Sequence, residues 1–98
     1  MVVKKMVVKK EVATENLKPL INHCVNKAIR LIDTELRNFI LGEKKSYWLT
    51  EVFLGDEKQN IVLRTEVVET LLKLYTDAGW KVEQAPDNED VDVVLTFE

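Results

Sequence analysis

From Asn16 to Gly42 the chain carries apolar residues at helical spacing, a stretch of roughly 25 residues or about 37 Å at 1.5 Å per residue. Asn16 is a good N-cap, Pro19 then sits in the first turn where its amide has no intrahelical partner, and Gly42 is a natural left-handed stop. With Leu17 at zero and about 100° per residue, Leu20, Ile21, Cys24, Val25, Ala28, Ile29, Leu31, Ile32, Leu36, Phe39 and Ile40 span an arc of roughly 200°. A surface helix needs about 100° of apolar face, and the excess over this length is on the order of 300 Å². Either the rest of the protein covers an unusually wide stripe, or one flank packs internally and the other meets a partner. The second reading is the expectation here: Ile29, Leu36 and Ile40 form the interface flank, and a second copy is the simplest partner, which makes a homodimer. Glu35 falls in the middle of the arc, between Leu31 and Phe39. It must therefore lie at a solvated helix end, form a register-setting pair at that interface, or contact a ligand.

The remaining elements are shorter. SYWLTEVFLG (46–55) is rich in aromatic and β-branched residues and reads as a strand, and GDEKQN (55–60) reads as a turn. IVLR (61–64) is either a return strand or the lead-in to a second helix N-capped by Thr65, whose apolar face is Val67, Val68, Leu71, Leu72, Leu74, Tyr75 and Ala78, with Gly79 as its stop. WKVEQA and VDVVLTFE then form a hairpin, with Val91, Val93, Leu95 and Phe97 alternating onto one face. The order α-β-(β)-α-β-β predicts a two-layer α+β fold, a long first helix and a second helix packed on a mostly antiparallel sheet. Residues 1–15 are expected to be a flexible basic arm and 16–98 a single domain. Trp48 and Trp80 are expected to anchor the core.

Charge divides the chain. MVVKKMVVKK holds four Lys and no acid, whereas from Glu11 onward ten basic residues face seventeen acidic ones, so the body carries −7. An acidic body repels phosphate, and four lysines grip it weakly, so nucleic acid is not the expected ligand for the chain as a whole. No apolar run in the sequence reaches the ~18 residues of a membrane span, and no membrane partner is expected. The lone Cys24 has no partner for an internal disulfide, so a reducing cytoplasm is the expected location.

The chemistry-bearing residues do not converge. His23 and Cys24 are neighbours on a helix and diverge by about 100°, so the imidazole cannot serve the thiol as a base. His23 is read as a surface residue and Cys24 as a small core hydrophobe. DNEDVD (87–92) resembles a calcium loop, but Val91 stands at a ligand position and Asp92 where the loop needs Gly. It reads instead as an acidic hairpin tip, in which Asp87, Glu89, Asp90 and Asp92 are candidates to meet a basic partner surface. No catalytic, metal or cofactor site is assigned, and no enzyme is expected.

Tyr75, AGWKV (78–82) and the closing VVLTFE resemble small, uncharacterised accessory proteins of tailed bacteriophages, over residues 65–98. The resemblance implies a compact cytoplasmic protein that acts by binding a host or phage protein. The expected function is that of a small non-enzymatic adaptor or inhibitor acting as a homodimer. The alternatives are a nucleic-acid-binding accessory protein using the lysine arm and a small acidic chaperone-like dimer.

Overall fold

The structure, a computed structural model, describes residues 7–84 and 94–98. The first helix, α1, runs over Lys10–Leu36 and is longer at its N-terminus than its best capping residue suggests. Asn16 lies inside it, and so does Pro19, which has no N–H for the carbonyl of Glu15, a deficit of roughly 3 kcal/mol in a helix interior. The added turns have local support: the Thr14 hydroxyl donates to the Lys10 carbonyl at 3.2 Å, and Lys18 pairs with Glu15 at 2.8 Å. Residues 10–15 are therefore helical rather than part of an arm. At the other end α1 stops at Leu36, before the expected Leu41, because Phe39 leaves the helix to stack edge-on against Trp80 at 5.1 Å. Gly42 does turn the chain, at φ +97°, but within a tight turn closed by the Glu43 N–H to the Ile40 carbonyl (3.1 Å).

The expected strand over 46–55 is cut short. Strand β1 covers Lys45–Trp48, followed by a 3-10 turn over Leu49–Glu51. Leu49, Val52 and Phe53 are all buried, and a spacing of three and four residues puts three side chains inward only if the backbone coils. A second 3-10 segment, Gly55–Gln59, occupies the expected turn, and Glu57 secures its start by accepting the Leu54 N–H at 2.9 Å.

Helix α2 spans Ile61–Asp77, so IVLR is its first turn and not a strand. Its N-cap is Asn60, whose side chain accepts the Leu63 N–H at 3.0 Å, and Thr65 lies one turn inside. The C-terminus matches the expected stop: Gly79 at φ +98° lets the Trp80 N–H reach the Tyr75 carbonyl (2.9 Å) and the Gly79 N–H reach that of Thr76 (3.0 Å), a Schellman arrangement.

Strands β2 (Val82–Gln84) and β3 (Val94–Phe97) complete a three-stranded antiparallel sheet in the order β1-β3-β2. Tyr47, Leu95 and Gln84 lie in one row across it, and Lys45, Phe97 and Val82 in the next row on the same face. The described part of the closing strand alternates as its sequence predicts, with Leu95 and Phe97 fully buried and Val94 and Thr96 on the other face, while Val91 and Val93 lie outside the described residues. The architecture is α+β, in the order α-β-α-β-β, without the optional strand between β1 and α2.

Both helices feed one core. Cys24, Ala28 and Ile32 of α1 meet a cluster that includes Leu63, Val67 and Leu71 of α2, and Phe97 joins the sheet to it. The small Cys24 and Ala28, one helical turn apart and wholly buried, let the helices approach closely. The packing covers only part of α1: no residue before Cys24 is buried, although α1 begins at Lys10. The molecule is accordingly elongated, with a radius of gyration of 17.0 Å, against about 13 Å for a compact chain of this length.

Candidate interaction surface

The apolar arc of α1 is wider than the core that covers it, but its free flank is the opposite of the expected one. Leu36 is only 8% exposed and packs in the core, so it is unavailable to a partner. Ile29 is half-buried against the same core. Ile40 is 65% exposed, yet it stands in the turn beyond the helix and does not extend a helical face with Ile29. The flank left open on α1 carries Leu20 and Leu31, which lie about 20° apart on the helical wheel and are both partly exposed. Glu35 is exposed near the last turn of α1, the solvated-end outcome.

Leu31 and Glu35 form one wall of a cleft of about 260 Å³, together with Ile32 of α1, Tyr47 and Trp48 of β1, and Leu49 and Glu51 of the 3-10 turn. Strand alternation builds the opposite wall. Tyr47 points inward and meets the Phe97 ring edge-on at 5.5 Å, so its neighbour Trp48 must point outward, where its side chain leaves the residue 64% exposed. Trp48 is thus not the core anchor its type suggests. Trp80 does take that role, half-buried between Phe39 and Phe97. The Tyr47 hydroxyl is enclosed without a hydrogen-bond partner, and burial, with Glu35 and then Glu43 nearby, pushes its pKa up. Among the described residues neither Glu35 nor Glu51 takes part in an ion pair.

The remaining polar groups hold the scaffold together. Asp33 accepts a hydrogen bond from the Tyr75 hydroxyl at 2.7 Å and ties α1 to α2. Burial, followed by that bond, raises the Tyr75 pKa well above its ordinary value. Tyr75→Phe is expected to cost about 1–3 kcal/mol, because the Asp33 carboxylate then loses its partner at a half-buried site; the urea midpoint checks it. Glu98 accepts from Lys44 and Lys81, both at 3.3 Å, and these cations hold its carboxyl below the usual range.

His23 is exposed while Cys24 is fully buried, so the two diverge as their adjacency on a helix requires. The Cys24 sulfur lies 4.0 Å from a Glu57 carboxylate oxygen; burial first, and then that carboxylate, push the thiol pKa up despite Lys27, which disfavours the reactive thiolate. Among the described residues no group of three or more His, Cys, Asp or Glu side chains is placed to hold a metal ion. No helix among them is long and apolar enough to cross a membrane. The acidic tip, Asp87, Glu89, Asp90 and Asp92, lies outside the described residues.

Tyr47, Trp48 and Glu51 are the site residues that sequence reasoning missed. The usable signal was the change of period, from alternation in KSYW to helical spacing in Leu49, Val52 and Phe53, which ends the strand at Trp48 and leaves its ring on the outer face. No protein-family model matches the chain, and no curated protein or solved structure matches it significantly.

Proposed function

We propose that the chain is a small, non-enzymatic protein–protein interaction protein that pairs with a second copy through the N-terminal half of α1. The observation that supports this is the overhang of α1. From Lys10 to His23 the helix contains no buried residue, and it shows Val12 and Leu20 to solvent at 48% and 44% exposure. Within it only Leu17 and Ile21 are half-buried against the core, a helical stretch with so little packing is marginal in water, and its interior Pro19 weakens it further. A second overhang laid across it, about a two-fold axis, covers Leu20 and Val12 and lends both copies the stability that neither has alone. The divergence of His23 and Cys24 supports a non-catalytic role. A single buried cysteine suits a reducing, cytoplasmic setting.

Sedimentation equilibrium tests the pairing. The unaltered chain is expected to sediment as a dimer, and Leu20→Asp to weaken the dimer at least ~10-fold while the far-ultraviolet spectrum of the α1–α2 core persists. A chain that is monomeric at every concentration, or a Leu20→Asp variant that dimerises as well as the parent, refutes this reading.

A further inference from the structure

We infer that α1 has two alternative starts, and that residues 10–15 are helical only while a second copy covers them. The inference rests on the pairing proposed above and adds what regulates it: assembly is coupled to the folding of this segment, and Pro19 holds the free chain in the shorter form.

The two starts compete for the same turns. The structure begins α1 at Lys10, with Lys9 at the N-cap and no side chain accepting from the first amides. Asn16 is a far better cap, and a helix begun there puts Pro19 at its third position, where the missing N–H breaks no intrahelical bond. In the longer helix Pro19 is interior, and the Glu15 carbonyl loses its usual donor. One sequence thus carries a complete start signal at Asn16 and an uncapped one at Lys9.

Packing does not favour the longer form in the free chain. Residues 10–15 are all exposed, so no burial offsets the entropy of ordering them. They are held by the Thr14 hydroxyl on the Lys10 carbonyl (3.2 Å) and by the exposed Lys18–Glu15 pair (2.8 Å), both weak in water. Leu17, half-buried against the core, anchors the chain just beyond Asn16 in either form.

A second copy reverses the balance. Val12 and Leu20 lie about 80° apart around the helix and about 12 Å apart along it, so they share one flank only while the turns between them are helical. A partner that covers both therefore selects the longer start. Because each copy must fold its own segment, the helical fraction of the free chain enters the apparent dissociation constant twice. Replacing Pro19 removes the penalty from both chains at once.

The test compares Cα chemical shifts of residues 10–15 in the ¹³C,¹⁵N-labelled full chain below and above the dimer dissociation constant. Sedimentation equilibrium supplies that constant, and residues 24–32 serve as the internal helical reference. We expect coil values below it and helical values above it. Pro19→Ala should give helical values at both concentrations and tighten the dimer at least ~10-fold; Pro19 is exposed, so the core is untouched. Helical values in the dilute unaltered chain, or a Pro19→Ala dimer no tighter than the parent, overturn the inference and leave the pairing standing. A chain that is monomeric at every concentration refutes the pairing, and the inference with it.

Discussion

Phe97→Ala is expected to cost about 3–5 kcal/mol, a large share of the ~5–15 kcal/mol that holds a domain of this size together. Phe97 is wholly buried on the central strand β3, and its ring meets Tyr75 at 5.1 Å, Tyr47 at 5.5 Å and Trp80 at 6.2 Å, each edge-on. These three rings come from α2, from β1 and from the segment between α2 and β2, so removing Phe97 leaves a cavity at the one point where all of them converge. Urea unfolding followed by near-ultraviolet circular dichroism reads the effect directly. A loss below about 1.5 kcal/mol would mean that the surrounding rings collapse onto the space and that the cluster is less tightly packed than its geometry indicates.

The second large effect separates two neighbours. Leu63→Ala is expected to cost about 2–5 kcal/mol, whereas Val62→Ala should stay within about 0.5 kcal/mol. Leu63 is fully buried in the first turn of α2, with its N–H held by the Asn60 cap, while Val62 is 61% exposed. Apolar character does not distinguish the two residues; only the helical turn does, because it aims one at α1 and the other at solvent. Similar costs for both would show that residues 61–64 do not enter the core as a helical turn.

Some of this architecture was legible in the residues. Most of the core face of α2 was, since Val67, Val68, Leu71 and Tyr75 follow helical spacing and Gly79 supplies the left-handed exit, although Leu74 and Ala78, assigned to the same face, are exposed. So was β3, where strict alternation leaves a single way to bury Leu95 and Phe97. Helix starts were less legible, because Asn16 and Thr65 are good local caps and lost to context. For α2 the competing cap, Asn60, lies one turn earlier and brings Leu63 into the core; for α1 the extra turns are held by Thr14 and the Lys18–Glu15 pair. The candidate site was the least legible part. Which flank of α1 remains open depends on where α2 and the sheet lie against it, and helical periodicity is blind to that choice.

The sequence by itself determined that this chain is a two-helix α+β protein with an acidic body, a buried lone cysteine and more apolar helix surface than one core requires, because periodicity, charge and turn residues are local properties. Only the tertiary structure decided that Leu36 belongs to the core and Leu31 to a cleft, that Asp33 faces Tyr75, and that Trp48 stands in solvent. Those outcomes follow from the placement of α2 and β1 against α1, and a side chain's burial is set by what packs over it, which no window of neighbouring residues encodes.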